Sequence, residues 1–191
     1  MNFYKLLLSR RSIRQFKPRP IQKEILKKLV NAARLAPSAA NLQPLEFIVI
    51  DEAETRRKIF SCLRWAAYIK PQGDPKPGHE PMAYIFTLIN TEIKDKGYEY
   101  DAGAAIENMI LAAWGQGIGS CWLLSIERKK IQEILKIPMS HRIDSVLALG
   151  YPDEEPVAEI KEDSVKYWKD STGRLHVPKR KLEDIIHFNK F

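Results

Sequence analysis

The sequence predicts a mixed α/β domain with about four core strands and five or six helices. Three observations carry that expectation. Four short runs, 46–50, 83–89, 120–124 and 143–149, are rich in β-branched, aromatic and other apolar residues and alternate with segments of helical periodicity. The stretch 100–115 is apolar around most of a helical circumference, so it reads as central and buried. From 153 onward the apolar density falls, and the tail reads as an extension that needs another surface to lie on.

Each element follows from local chemistry. Asn2 offers an N-cap for a short helix over 2–8. In 21–36, Ile21, Ile25, Leu26, Leu29, Val30 and Ala33 share one face, Lys23, Lys27 and Lys28 lie opposite, and Pro20 and Pro37 bound the segment. The run 46–50 reads as a buried strand. Asp51 then opens a helix to about Tyr68, with Glu54 three positions on as in a capping box. Residues 71–81 contain four prolines and two glycines, which excludes a helix or central strand. The second strand, 83–89, precedes the long helix. Gly115 and Gly117 read as cap and turn positions of positive φ, leading into the third strand. An amphipathic helix over 127–135 leads to the fourth strand, which Gly150, Tyr151 and Pro152 end.

With 191 residues, 45% hydrophobic and 29% charged, the chain is expected to form one domain, 1–191, with a real core. Its net charge of +7 favours anionic partners. Beyond the first twenty residues, however, basic side chains are interleaved with acidic ones and no recognition helix follows, which argues against nucleic acid. The low-charge stretch 102–126 is broken by Glu107, Asn108, Gln116 and four glycines, unlike a membrane span. Cys62 and Cys121 match no metal spacing and read as free thiols in a reducing cytoplasm; the residues after Met1 show no long apolar core or cleavage site, so they are not expected to act as a secretory signal.

The densest chemistry lies in Ser9-Arg10-Arg11-Ser12-Ile13-Arg14. Five cations (Arg10, Arg11, Arg14, Lys17, Arg19) fall between 10 and 19, and no carboxylate occurs before Glu24. Guanidinium forks pair bidentately with phosphate and serine adds a short donor, so a phosphate clamp or a solvated basic surface fits. Gly115-Gln116-Gly117-Ile118-Gly119 is not a dinucleotide fingerprint, because the helix precedes the glycines and the strand follows them. The loop Ala36-Pro37-Ser38-Ala39-Ala40-Asn41-Leu42-Gln43-Pro44 combines one hydroxyl and two carboxamides between stiffening prolines. It reads as an ordinary turn or as a site for a heteroaromatic edge of alternating donors and acceptors.

Four segments in order resemble the nitroreductase-like flavoproteins along essentially the whole chain. They are 10–14, 36–44, the stretch Asp101-Ala102-Gly103-Ala104-Ala105-Ile106-Glu107-Asn108 on to Gly117-Ile118-Gly119-Ser120-Cys121-Trp122, and the C-terminal 179–187. The resemblance implies an α+β homodimer with a mostly antiparallel sheet of four or five strands. It also implies a long interface helix, an extension (153–191) onto the partner subunit, and FMN at each interface. It assigns the phosphate and ribityl chain to Arg10, Arg11, Ser12 and Arg14, with Lys179 or Arg180 closing on the phosphate. It places Pro37, Ser38, Ala39 and Asn41, followed by Gln43, across the interface near the flavin ring, and makes Leu123 and Leu124 candidate backbone contacts. Leu123-Leu124-Ser125 stands where family members often carry a polar or charged residue, and Leu45 replaces the usual aromatic after Gln-Pro.

The implied activity is ping-pong hydride transfer from NAD(P)H through FMN N5 to a small acceptor such as a nitroaromatic or quinone, with no catalytic protein nucleophile. The same fold also hosts dehalogenation, flavin fragmentation and azoline oxidation, and a non-catalytic flavin- or anion-binding protein is a further alternative. Acceptor choice is expected in 61–81, where Trp65, Tyr68 and Lys70 are candidates for the flavin face and Trp65 equally for the core. His79, His141, His176 and His187 are unclustered and read as surface or capping residues.

Overall fold

A computed structural model of the chain describes residues 2–191; Met1 lies outside them. Four strands, β1 (Leu45–Ile50), β2 (Ala83–Asn90), β3 (Gly119–Leu123) and β4 (His141–Gly150), form an antiparallel sheet in the order β1-β2-β4-β3. Strands β2 and β4 are central and buried on both faces, so their side chains alternate between two cores. Ile85, Leu147 and Leu149 face one cluster with Leu26, Leu29 and Ala33 of α2 (Lys23–Arg34) and Ile106, Met109 and Ala113 of α4 (Glu99–Gly115). Tyr84, Phe86, Val146 and Ala148 face the other, with Ile59 of α3 (Ala53–Phe60) and Ile131 of α5 (Arg128–Leu135). The α+β architecture is therefore three layers, and the period-two alternation of the sheet is what separates them.

The short first helix, α1 (Phe3–Ser9), is capped as expected: the Asn2 side chain accepts from the Lys5 N–H. It packs across the end of α4, where the Trp114 indole donates to the Ser9 hydroxyl at 2.9 Å.

Several local expectations are corrected. Strand β1 is the sheet edge and half exposed rather than buried. The helix expected over 51–68 stops at Phe60, and its cap is Glu52, whose carboxylate accepts from the N–H groups of Glu54 and Thr55. It stops because 62–64 is drawn to the link between β3 and α5. Leu63 bridges Ile126, the Arg64 N–H donates to Ser125, and the Glu127 N–H donates to Cys62. Gly115 is the last residue of α4, and of these two glycines Gly117 alone takes a positive φ, of 72°.

The extension carries structure that the sequence did not suggest. Strands β5 (Val157–Ile160), β6 (Trp168–Lys169) and β7 (Leu175–Lys179) form a small sheet, with β5 and β7 parallel. It packs on its own chain: the Asp153 N–H donates to Gln15 and the Lys169 ammonium to the Gln72 carbonyl. Beyond Lys179 the side chains are exposed, including Leu182, Ile185 and Phe188.

Candidate functional site

The arginine segment is held as an extra extended strip beside β3. Ser12 bridges Ser120 in parallel, and the Ile13 N–H donates to the Ser120 carbonyl at 2.9 Å. Two glycines make this close approach possible. A Cβ on Gly119 would lie 2.6 Å from Ile13 Cγ1, and one on Gly150 would lie 2.7 Å from Phe16 Cδ1. With Ile13 and Phe16 fully buried, the strip is fixed in register and its polar side chains fall beside the sheet. Glu154 completes the seat by accepting from the backbone N–H groups of Arg14 and Gln15.

The three guanidiniums are not equivalent. Arg10 sits with Nε 3.9 Å from Glu107 of α4. Arg11 folds back, and its Nη1 donates to the carbonyls of Leu8 and Arg10 at the end of α1. Burial, then the neighbouring Arg10, pushes the Arg11 pKa below its usual value. Arg14 lies under the Tyr167 ring, 5.5 Å from its centroid. Among the described residues, the Nε groups of Arg11 and Arg14 are buried without a hydrogen-bond partner. Buried unpaired donors are costly, so these N–H groups fit an anionic ligand, and a phosphate suits them.

The loop 37–43 is built differently. Ala40, Asn41 and Gln43 all take φ between 52° and 55°, a left-handed conformation that disfavours side chains other than glycine. The loop is pinned from below by α4. The Ala39 N–H donates to Asp101 Oδ1 at 3.0 Å, and Asp101 Oδ2 receives the Lys94 ammonium at 2.7 Å. Asp101 is only 4% exposed. Burial raises its pKa, but the Lys94 and Ala39 hydrogen bonds outweigh that and leave it below the ordinary value. Inside the loop, the Gln43 N–H donates to the Ser38 hydroxyl. A 270 Å³ cleft opens here between Pro37, Ser38, Gln43, Phe47 and Ala105, while Ala39 and Asn41 stay exposed.

Among the described residues, no hydrogen bond or ion pair joins the clamp to the loop. They touch α4 at Glu107 and Asp101, six residues apart, which is about 9 Å along the axis and on different faces. Leu123 is buried at the end of β3 and Leu124 is exposed just after it. Lys179 ends β7, and the Arg180 guanidinium donates to the Asp184 carbonyl. Among the described residues, neither hydrogen-bonds to 10–14 of its own chain. Tyr68 stays exposed, and the Trp65 ring lies tilted against Phe60, their centroids 5.9 Å apart.

Sequence reasoning missed four participants. Asp101 and Lys94 fix the loop, and their only trace was an acidic residue entering the long helix. Glu154 seats the arginine strip from the extension. His176, read as a surface or capping residue, lies between Glu159 (2.8 Å) and Asp170 (3.2 Å) and stacks on Trp168 at 4.2 Å, bracing the small sheet.

A protein of Archaeoglobus fulgidus named as an NADH dehydrogenase/NAD(P)H nitroreductase is 36% identical over 160 residues, spanning 79% of this chain and 86% of its own. One of the same name from Methanothermobacter thermautotrophicus is 30% identical over 161 residues, spanning 82% and 80%. The solved structure of an FMN-dependent nitroreductase from Clostridium difficile R20291 superposes with a TM-score of 0.71 at 28% identity, covering 97% of this chain and 98% of its own. A family model described as the nitroreductase family matches residues 7–151, which include the arginine strip, the strained loop and the whole main sheet. On that span, the chain belongs to the nitroreductase family.

Proposed function

We propose that this chain is an FMN-dependent oxidoreductase that uses NAD(P)H to reduce a small oxidised acceptor, a nitroaromatic, a quinone or a similar compound. The observation that carries the reading is the strand-locked arginine strip with buried, unpartnered guanidinium N–H groups. The names of the relatives support the same activity. Arg10, Arg11, Ser12 and Arg14 hold the phosphate and ribityl chain, and positive charge or N–H donors at the N1–C2 edge of the ring favour the anionic reduced state. The backbone of Leu123 and Leu124 borders the ring. FMN, when bound, accepts a hydride from NAD(P)H and passes the electrons on to the acceptor.

The working unit is a homodimer with FMN at each interface. A second copy supplies loop 37–43, with Pro37, Ser38, Ala39, Asn41 and Gln43; within one chain the described residues of clamp and loop share no hydrogen bond or ion pair. Exposed apolar residues of α1 (Phe3, Tyr4, Leu8) and of the tail (Leu182, Ile185, Phe188) are the surfaces for that copy, and Lys179 or Arg180 reaches the phosphate in the assembled dimer. Two buried free thiols suit a cytoplasmic location, and among the described residues no helix is long and apolar enough to cross a membrane.

Mixed dimers test this arrangement. Arg10→Ala on one copy and Asn41→Ala on the other concentrate both lesions in one site and leave the second site intact. Flavin content near half that of the wild-type dimer supports the shared site. Flavin content matching either homodimer refutes it.

A further inference from the structure

A cavity of 570 Å³ lies at the end of the sheet where β2 leaves and β4 enters, between α5 and the segment 91–98. Arg128, Lys129 and Arg142 line it, against one carboxylate, Asp95. In the sequence Glu127 stands next to this basic run and would balance it. In the structure Glu127 pairs with Arg64 and Lys130 instead, and among the described residues none of the three lining cations has a carboxylate within ion-pair distance. The nearby Asp144 carboxylate accepts from the Ser145 hydroxyl.

Two of the cations are held by neutral groups. Arg128 is clipped to β4: its Nε donates to the Ile143 carbonyl at 3.0 Å and its Nη2 to the Asp144 carbonyl at 2.7 Å. Arg142 Nη1 makes long contacts, 3.4 Å, with the Asp95 carbonyl and the Tyr98 hydroxyl, and its guanidinium lies 5.8 Å from the Tyr98 ring centroid. These partners orient the guanidiniums without cancelling their charge. Three cations against one carboxylate leave two positive charges in excess, the complement of a phosphate dianion. Guanidiniums from α5 and β4 can each take one phosphoryl group, and the cavity has room for a small molecule around them. One concave cluster is not the long basic track that nucleic acid needs.

We propose that this cavity is an anion site for a small molecule carrying a diphosphate, held by Arg128, Lys129 and Arg142. It shares no residue with the arginine strip and does not depend on the flavoenzyme reading. Isothermal titration calorimetry of the protein, supplied with excess FMN, against pyrophosphate and against ADP tests it. One molecule bound per chain, more weakly as salt is raised, is expected. Binding of both probes supports a nucleotide as the source of the diphosphate, and binding of pyrophosphate alone supports a free diphosphate. Arg128 also ties α5 to β4, so the other two cations are the ones to vary. Lys129→Gln and Arg142→Gln each weaken binding about fivefold, the upper range of an exposed ion pair, and the double variant about twentyfold. The strip variant Arg10→Ala/Arg14→Ala binds as the wild type does. No saturable binding, an affinity unchanged in the Lys129→Gln/Arg142→Gln variant, or binding lost in the strip variant would overturn the proposal. Tighter binding of a DNA duplex than of either probe, lost in the same double variant, would overturn it in favour of nucleic acid.

Discussion

Asp101→Ala removes the support of the strained loop, and its cost can be worked from the geometry. The carboxylate is 4% exposed, and its Lys94 partner has a side chain 13% exposed. Deleting Asp101 leaves a buried ammonium unpaired and orphans the Ala39 N–H. Breaking one side of a buried pair costs about 3–5 kcal/mol. Part of that is returned as the loop relaxes, since each left-handed residue among Ala40, Asn41 and Gln43 stores on the order of 1 kcal/mol. A net loss of about 3 kcal/mol is expected in urea unfolding of the apoprotein. The double variant Asp101→Ala/Lys94→Ala, which no longer buries a lone charge, loses less than the sum of the two singles. Because the folded pKa of Asp101 is lowered, its contribution is present above the unfolded value of about 4 and is lost as pH falls through the folded one. A loss below about 1 kcal/mol at neutral pH, or strictly additive singles, would refute the assignment of Asp101 as the loop's anchor.

Other perturbations follow from the same contacts. Gly119→Ala and Gly150→Ala push a methyl group into Ile13 and Phe16; each costs about 1–3 kcal/mol and releases flavin more readily, as read by fluorescence of the filtrate. Unchanged retention in both would show that the strip's register is unimportant. Protonated His176 braces the extension between Glu159 and Asp170, and its pKa is raised by those two hydrogen bonds while theirs are lowered. The brace is therefore fullest between about pH 4.5 and 6.5, and weakens as pH rises through the raised His176 value or falls through the lowered carboxylate values. Limited proteolysis between Ile160 and Leu175 should be slowest in that window and lose its pH dependence in His176→Asn.

The sequence was most legible where one rule governed. The apolar spacing of α2 and α4 and the runs at β2 and β4 gave their elements directly, because burial on fixed faces leaves a periodic record. The arginine strip stood out by composition, but not the division of labour within it, since Arg11 spends Nη1 on carbonyls at the end of α1. The tail sheet left no signal: β6 is two residues long, Pro178 argues against a strand at β7, and β5 pairs in parallel with β7 across 161–174, a stretch that contains β6. Arg128 and Arg142 meet only through tertiary folding, so no local pattern announces their cavity. The end of α3 was missed because helical propensity persists past Phe60 while hydrogen bonds to 125–127 pull the chain away.

The most direct test of the central claim is the visible spectrum of the protein purified without added cofactor, followed by anaerobic addition of NADH or NADPH. A flavin spectrum that bleaches on addition, with FMN released on heating, is the predicted result. A colourless protein that also fails to take up added FMN would contradict the account, and the arginine strip would then be a basic edge on a nitroreductase fold.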